Sequence, residues 1–127
     1  MSDQLAFPNL AGHRYMCLTT FRKNGKGVST PVWFAEGKRR VYVYTAPDSG
    51  KVKRIRNNPR VEVAPCTFSG KPLGAAATAF ARILPPEETS AARNGIVNKY
   101  GWQARIGMFL SRLRRREPPA YLEIVPA

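Results

Sequence analysis

The chain has 127 residues, 43% of them apolar and 10% aromatic, with 21 lysines and arginines against eight acidic residues, a formal charge of +13. That is the size of a single domain, taken here as residues 1–127, with enough apolar matter to exclude bulk disorder. Two cysteines, Cys17 and Cys66, and the single His13 argue against a disulfide scaffold, a histidine-based triad and a metal cluster, and the scattered carboxylates against a paired acid–base site.

From the N-terminus, Ser2–Gly12 has room for a short helix capped by Ser2 and limited by Pro8. No export signal is evident there, so the expectation is a cytoplasmic chain with reduced, buried thiols. No apolar run approaches the ~20 residues of a transmembrane helix. Arg14–Phe21 is β-branched and aromatic, apolar on both faces, and reads as a strand covered on both sides. Asn24-Gly25 supplies a hairpin turn. Val28–Ala35 reads as the returning strand, with Pro31 leaving one edge unpaired. Glu36-Gly37-Lys38 turns the chain into a third strand, Arg40–Thr45.

After the break at Ala46–Gly50 comes a short helix to about Asn57. Ser49 or Asp48 caps it, Val52 and Ile55 share one face, and Asn58-Pro59 stops it. Arg60–Cys66 and Gly74–Leu84 read as strands four and five. Pro85-Pro86 opens a helix over Glu87–Tyr100, Gly101 breaks it, and Trp102–Arg116 is a second, basic amphipathic helix ended by Pro118-Pro119. Tyr121–Val125 is a sixth strand. Short strands joined by tight turns point to a mainly β (α+β) fold, a six-stranded antiparallel barrel with short peripheral helices.

Three segments carry candidate chemistry. In Ser49-Gly50-Lys51-Val52-Lys53-Arg54, cations crowd a helix N-terminus where the dipole disfavours them. A phosphate between them and the free N–H groups resolves the conflict; the alternative is a solvated basic face. In Ser29-Thr30-Pro31-Val32-Trp33-Phe34, backbone freed by Pro31 can meet a planar polar ring walled by Trp33 and Phe34; the alternative is an ordinary edge strand with core aromatics. In Ala104–Arg116, Ile106, Phe109, Leu110 and Leu113 fall on one helical face. That face can meet nucleic acid or an anionic membrane, or pack on the barrel. The net charge implies anionic partners without choosing among nucleic acid, membrane and a phosphorylated or carboxylated ligand.

The ordered motifs Thr19-Thr20-Phe21-Arg22, Ser29–Phe34, Tyr44-Thr45, Asp48–Arg54, Asn58-Pro59-Arg60-Val61, Pro65-Cys66-Thr67 and Gly70-Lys71-Pro72 span most of residues 13–84. Together they resemble the pyridoxamine 5′-phosphate oxidase-like split barrels, and more narrowly their small deazaflavin-dependent actinobacterial and mycobacterial branch. The resemblance implies a split β-barrel whose strand Ser29, Thr30, Pro31, Val32, Trp33 lines the flavin ring. It implies that Tyr44 and Thr45 touch the cofactor beside its phosphate, and that Lys51 binds the phosphate with Ser49 and Gly50 close by. Lys53, with Arg54 and Arg56, is left for an anionic tail. Gly50 stands where the oxidase has an arginine, and Ala75–Ala79 replaces a strand that contacts cofactor in the second subunit. Oxidation of vitamin B6 is therefore not expected.

The implied function is an oxidoreductase passing hydride between coenzyme F420 and a small organic substrate, acting as a homodimer with the cofactor between subunits. The alternatives are an FMN-binding reductase of the same fold and a non-catalytic F420 carrier. No metal, membrane or catalytic side chain is assigned. Nucleic acid is disfavoured because the aromatic residues fall mostly in strands and turns rather than between the basic residues.

Overall fold

The computed structural model describes residues 6–115 and 119–127, the side chains of 111–115 excepted. One antiparallel sheet carries the fold: β1 (Tyr15–Phe21), β2 (Gly27–Val32), β3 (Phe34–Gly37), β4 (Arg40–Thr45), β5 (Arg60–Cys66), β6 (Ala77–Ile83) and β7 (Ala120–Pro126). Helix α1 (Gly50–Asn57) links β4 to β5, while α2 (Ser90–Tyr100) and α3 (Trp102–Arg115) lie between β6 and β7. The spatial order is β2-β1-β5-β6-β7-β4-β3. The last strand thus enters the sheet between β6 and β4, and the two free edges, β2 and β3, are neighbours in the chain. The sheet curls until β2 approaches β4, giving a half-barrel.

Alternation sets the inner face. Met16, Leu18, Val32, Phe34, Val41, Val43, Val61 and Val63 point into one core with Leu122 and Ile124. Helix α1 adds Ile55 to this core and buries Val52. Helix α2 covers the outer face of β3 and β4, where Ala35, Ile96, Tyr100 and Ala104 form a second cluster. The outer face of β1 is covered within the same chain, because Cys17 donates its thiol hydrogen to the Gly70 carbonyl at 3.3 Å in the turn after β5.

The sheet has seven strands, not the six expected, because the run predicted as one strand over Val28–Ala35 is divided at Trp33. Residues up to Val32 pair with β1, and those from Phe34 pair with β4. At this corner the Phe34 N–H leaves the backbone ladder and donates to the Tyr100 hydroxyl at 3.0 Å.

Other boundaries shift for local reasons. Gly37 lies inside the β3–β4 ladder, opposite Arg40, and the loop is Lys38-Arg39, with Arg39 at φ 60°. Gly37 is small for a different reason: a Cβ there would meet the Tyr42 ring at 2.7 Å. Pro86–Glu88 forms a separate 3-10 turn, so α2 starts at Ser90. Of the predicted N-terminal helix, Pro8–Leu10 is a single 3-10 turn and residues 2–5 lie outside the described residues.

Tyr100 closes the corner. Its hydroxyl lies 2.7 Å from the Arg14 carbonyl and 2.9 Å from the Phe34 carbonyl, and its single hydrogen serves one of them. Trp33 stacks on its ring, with centroids 4.4 Å apart and an interplanar angle of 8°. Burial pushes the Tyr100 phenol up to about 12. A pKa raised in the folded state stabilises the fold fully below the unfolded value of about 10, and that stability is lost as pH rises toward about 12. Tyr100→Phe is therefore expected to lower stability by about 1–3 kcal/mol at neutral pH. The gap between variant and wild type should narrow from pH 10 to 12, measured by urea unfolding across that range.

Candidate functional site

The site is built around the start of α1. Ser49 caps the helix, accepting the Val52 N–H on its hydroxyl at 3.3 Å, and that hydroxyl also accepts from Thr45 Oγ1 at 3.3 Å. Thr45 ends β4 facing the interior, so the cap is tied to the sheet rather than only to its own helix. The first turn of α1 contains no acidic residue. Lys51 is half-buried, and desolvation with the nearby Arg54 charge holds its pKa below that of an ordinary lysine.

Arg54 folds back along the helix toward its own N-terminus. Its Nε donates to Thr20 Oγ1 at 2.6 Å, and a Cβ on Gly50 would meet its guanidinium nitrogen at 2.7 Å. The absence of a side chain at Gly50 thus leaves room for Arg54 beside the helix start. Thr20 is fully buried, on the same inward face of β1 as Met16 and Leu18. Two cations therefore share the positive end of a helix dipole, one of them partly stripped of water.

The β2 segment divides between two faces. Thr30 and Val32 point inward, while Ser29 and Pro31 are exposed on the outer side. Val32 belongs to the core, so its side chain is already committed. The Thr30 Oγ1 is buried without a hydrogen-bond partner among the described residues, on the face shared with Thr20 in the adjacent strand. Gly70 lies over Pro31, where a Cβ would stand 3.7 Å from the proline ring.

The expected Tyr44–Thr45 pair is split by the same alternation. Thr45 faces the interior with Ser49, whereas Tyr44 faces the helices and meets the Tyr121 ring edge-on at 5.7 Å. Trp33 lies on that helical side against Tyr100, and Phe34 is fully buried in the core, so these two aromatics do not wall one ring site within a single chain. Lys53 is exposed on α1. The structure therefore gathers Thr45, Ser49, Gly50 and Lys51 at one point, with Thr30 on the same inner face, and holds Ser29, Pro31, Trp33 and Tyr44 elsewhere.

No role for Thr20, or for its bond to Arg54, is readable from the sequence motifs. The one signal is alternation, since Met16, Leu18 and Thr20 share a parity that places a polar residue on a core face. Cys17 and Cys66 are free and buried, and burial together with the neighbouring Cys17 pushes the Cys66 thiol up to about 12. Such a thiol stays protonated and inert at neutral pH. No group of metal-ligating side chains occurs among the described residues.

A curled antiparallel sheet with a capped helix at its mouth defines the split-barrel class of fold. The sequence model of the pyridoxamine 5′-phosphate oxidase family matches residues 3–126, and the chain belongs to that family. Among solved structures, an FAD-binding protein from Mesorhizobium loti superposes with a TM-score of 0.67 at 18% identity, over 94% of this chain and 83% of that one. The heme storage protein HutZ of Vibrio cholerae gives 0.66 at 12%, over 94% and 86%. General Stress Protein 26 of Bacillus anthracis gives 0.62 at 25%, over 94% and 84%. No curated protein matches the chain in sequence.

The orphaned Thr30 hydroxyl gives a test that needs no ligand. A buried hydroxyl without a partner costs about 1–3 kcal/mol. Thr30→Val, nearly the same shape, should therefore raise the thermal midpoint of the ligand-free protein. An unchanged or lower midpoint would mean that the hydroxyl already has a partner.

Proposed function

We propose that the chain is an F420-dependent oxidoreductase acting on a small organic substrate, with the coenzyme phosphate seated at the start of α1. The observation that carries this reading is the half-buried Lys51 beside Arg54 at the positive end of a capped helix. An anionic phosphate relieves both the dipole conflict and the cation–cation repulsion. The residues fit such a group: Ser49 holds the cap, and the missing side chain at Gly50 admits the Arg54 guanidinium beside the helix start, next to Lys51. Bound F420 would supply two-electron hydride chemistry. The chain's own residues bind, orient and shield; none is assigned as a proton donor.

Lys51 would hold the phosphate by charge, and Thr20 would keep Arg54 aimed at the same point. Lys53 and Arg56, exposed on α1, would face the anionic tail that distinguishes F420 from FMN. An FMN-binding reductase and an F420 carrier use the same phosphate seat, so the choice of F420 rests on the basic surplus and the branch resemblance. The FAD-binding neighbour is consistent with a flavin-type cofactor on this fold.

A charge-assisted contact to phosphate is worth about 1.5–3 kcal/mol. Lys51→Ala should then weaken F420 binding by roughly 10- to 150-fold, read by fluorescence titration at low salt. Arg22→Ala, an exposed control, should change little. Wild type should bind F420 more tightly than FMN; a protein that takes FMN and ignores F420 reverses the ranking. Binding should weaken at high pH as the Lys51 ammonium, already held below the usual lysine range, loses its proton.

We also propose a homodimer, with the cofactor groove completed by the second subunit. Phe68, Leu73 and Phe80 are exposed on the β5–β6 side of the single chain, with 76%, 52% and 46% of their surface open. The dispersal of Ser29, Pro31, Trp33 and Tyr44 away from Lys51 agrees with a ring site that one chain does not complete. Light scattering of the cofactor-loaded protein at micromolar concentration should give twice the chain mass, and a loaded monomer would refute this part of the proposal.

A further inference from the structure

A cavity on the opposite side of the sheet from the core lies between α2, α3 and the strand ends. It encloses about 600 Å³, within the range of small-molecule sites. Its floor is apolar: Leu84 and Tyr121 are buried, and Met108 on α3 is partly buried. Among the described residues its charged side chains are of one sign. Arg93 on α2 and Arg105 on α3 line it from its two helical walls, Asn98 stands further along α2, and no acidic residue among those described lines it. Neither guanidinium has an ion-pair partner among the described residues, whereas Arg40, Arg60 and Arg82 all do.

Two unpaired arginines over an apolar floor select for a molecule with the complementary division: an anionic head and an apolar body. A neutral apolar molecule leaves the guanidiniums unused, and a cation is repelled by both. We infer that this cavity binds a small amphipathic anion, a carboxylate or phosphate ester carrying an apolar body. The inference does not depend on the identity of the cofactor. Its arginines lie on α2 and α3, apart from the Lys51 seat on α1.

The probe is decanoate, below its micellar concentration, titrated calorimetrically into the ligand-free protein, with decyltrimethylammonium as the cation of equal chain length. Saturable binding of decanoate at one site per chain is expected, with none for the cation. Arg93→Ala and Arg105→Ala should each weaken it by roughly tenfold or more. Asn98→Trp, at an exposed position on the cavity wall, should fill the space and abolish binding while circular dichroism stays unchanged. Lys51→Ala should leave the decanoate affinity within about twofold, since distant sites act independently. Loss of decanoate binding in Lys51→Ala would place the probe at α1 and overturn the assignment. Equal binding of the cation, arginine variants indistinguishable from wild type, or no binding at all would also overturn it. Sedimentation with anionic vesicles without binding of soluble decanoate would shift the interaction to the exposed face of α3, with the same consequence.

Discussion

One hydroxyl holds the two halves of the sheet in register. Where the chain leaves β2 for β3 it abandons one ladder before joining the next, and backbone groups at such a corner are left without strand partners. Tyr100 serves them from α2, accepting the Phe34 N–H and reaching the carbonyls of Phe34 and Arg14. The same ring stacks on Trp33, and the Arg14 guanidinium lies 5.2 Å from its centroid. The start of β1, the β2–β3 corner and α2 thus depend on one buried side chain. Lys99, the preceding residue, places its buried ammonium 3.4 Å from the centre of the Phe34 ring, a cation–π contact at the same corner.

The α1 site follows a different logic. Helix starts in proteins are ordinarily supplied with acid, and this one carries Lys51, Lys53 and Arg54 instead. The cap by Ser49, the hydroxyl contact from Thr45 and the bond from Arg54 to Thr20 secure the arrangement from three sides. An arrangement that is electrostatically unfavourable alone, yet structurally fixed, would suit the proposed phosphate, since the ordering cost would be met before the ligand arrives.

The basic amphipathic helix shows how a face can be identified from sequence while what it meets is decided by the fold. Ile106, Phe109 and Leu110 do share a side of α3, but with Trp102 that side is exposed, at 49%, 61%, 53% and 69%. The residues that turn inward are Ala104 and Met108, next to Tyr100. Gly101, at φ 63°, redirects the chain between the helices, and the small Ala104 admits close approach, so α3 meets α2 along a narrow strip. Leu113 and the stop at Pro118 lie outside the described side chains. Periodicity reports that a stripe exists; the crossing geometry decides what it meets.

Local chemistry determined much of this protein in advance. Asn24-Gly25 set a hairpin, with Gly25 at φ 86°; Ser49 set a helix cap; Asn58-Pro59 set its end; period-2 alternation set β4; and the run Arg60–Cys66 is a strand to the residue. These features depend on neighbours within a few positions, which the sequence displays directly. The insertion of β7 between β6 and β4, the Tyr100 hydroxyl that serves Phe34 where one predicted strand divides into two, and the meeting of Thr20 with Arg54 depend on residues 34 or more positions apart. Only the curl of the sheet brings such residues together, because loop closure and side-chain packing, not local preference, select among the possible pairings. The same holds for Tyr44 and Thr45: their adjacency in the chain suggests one shared contact, and the pleat of the folded strand sends them to opposite faces.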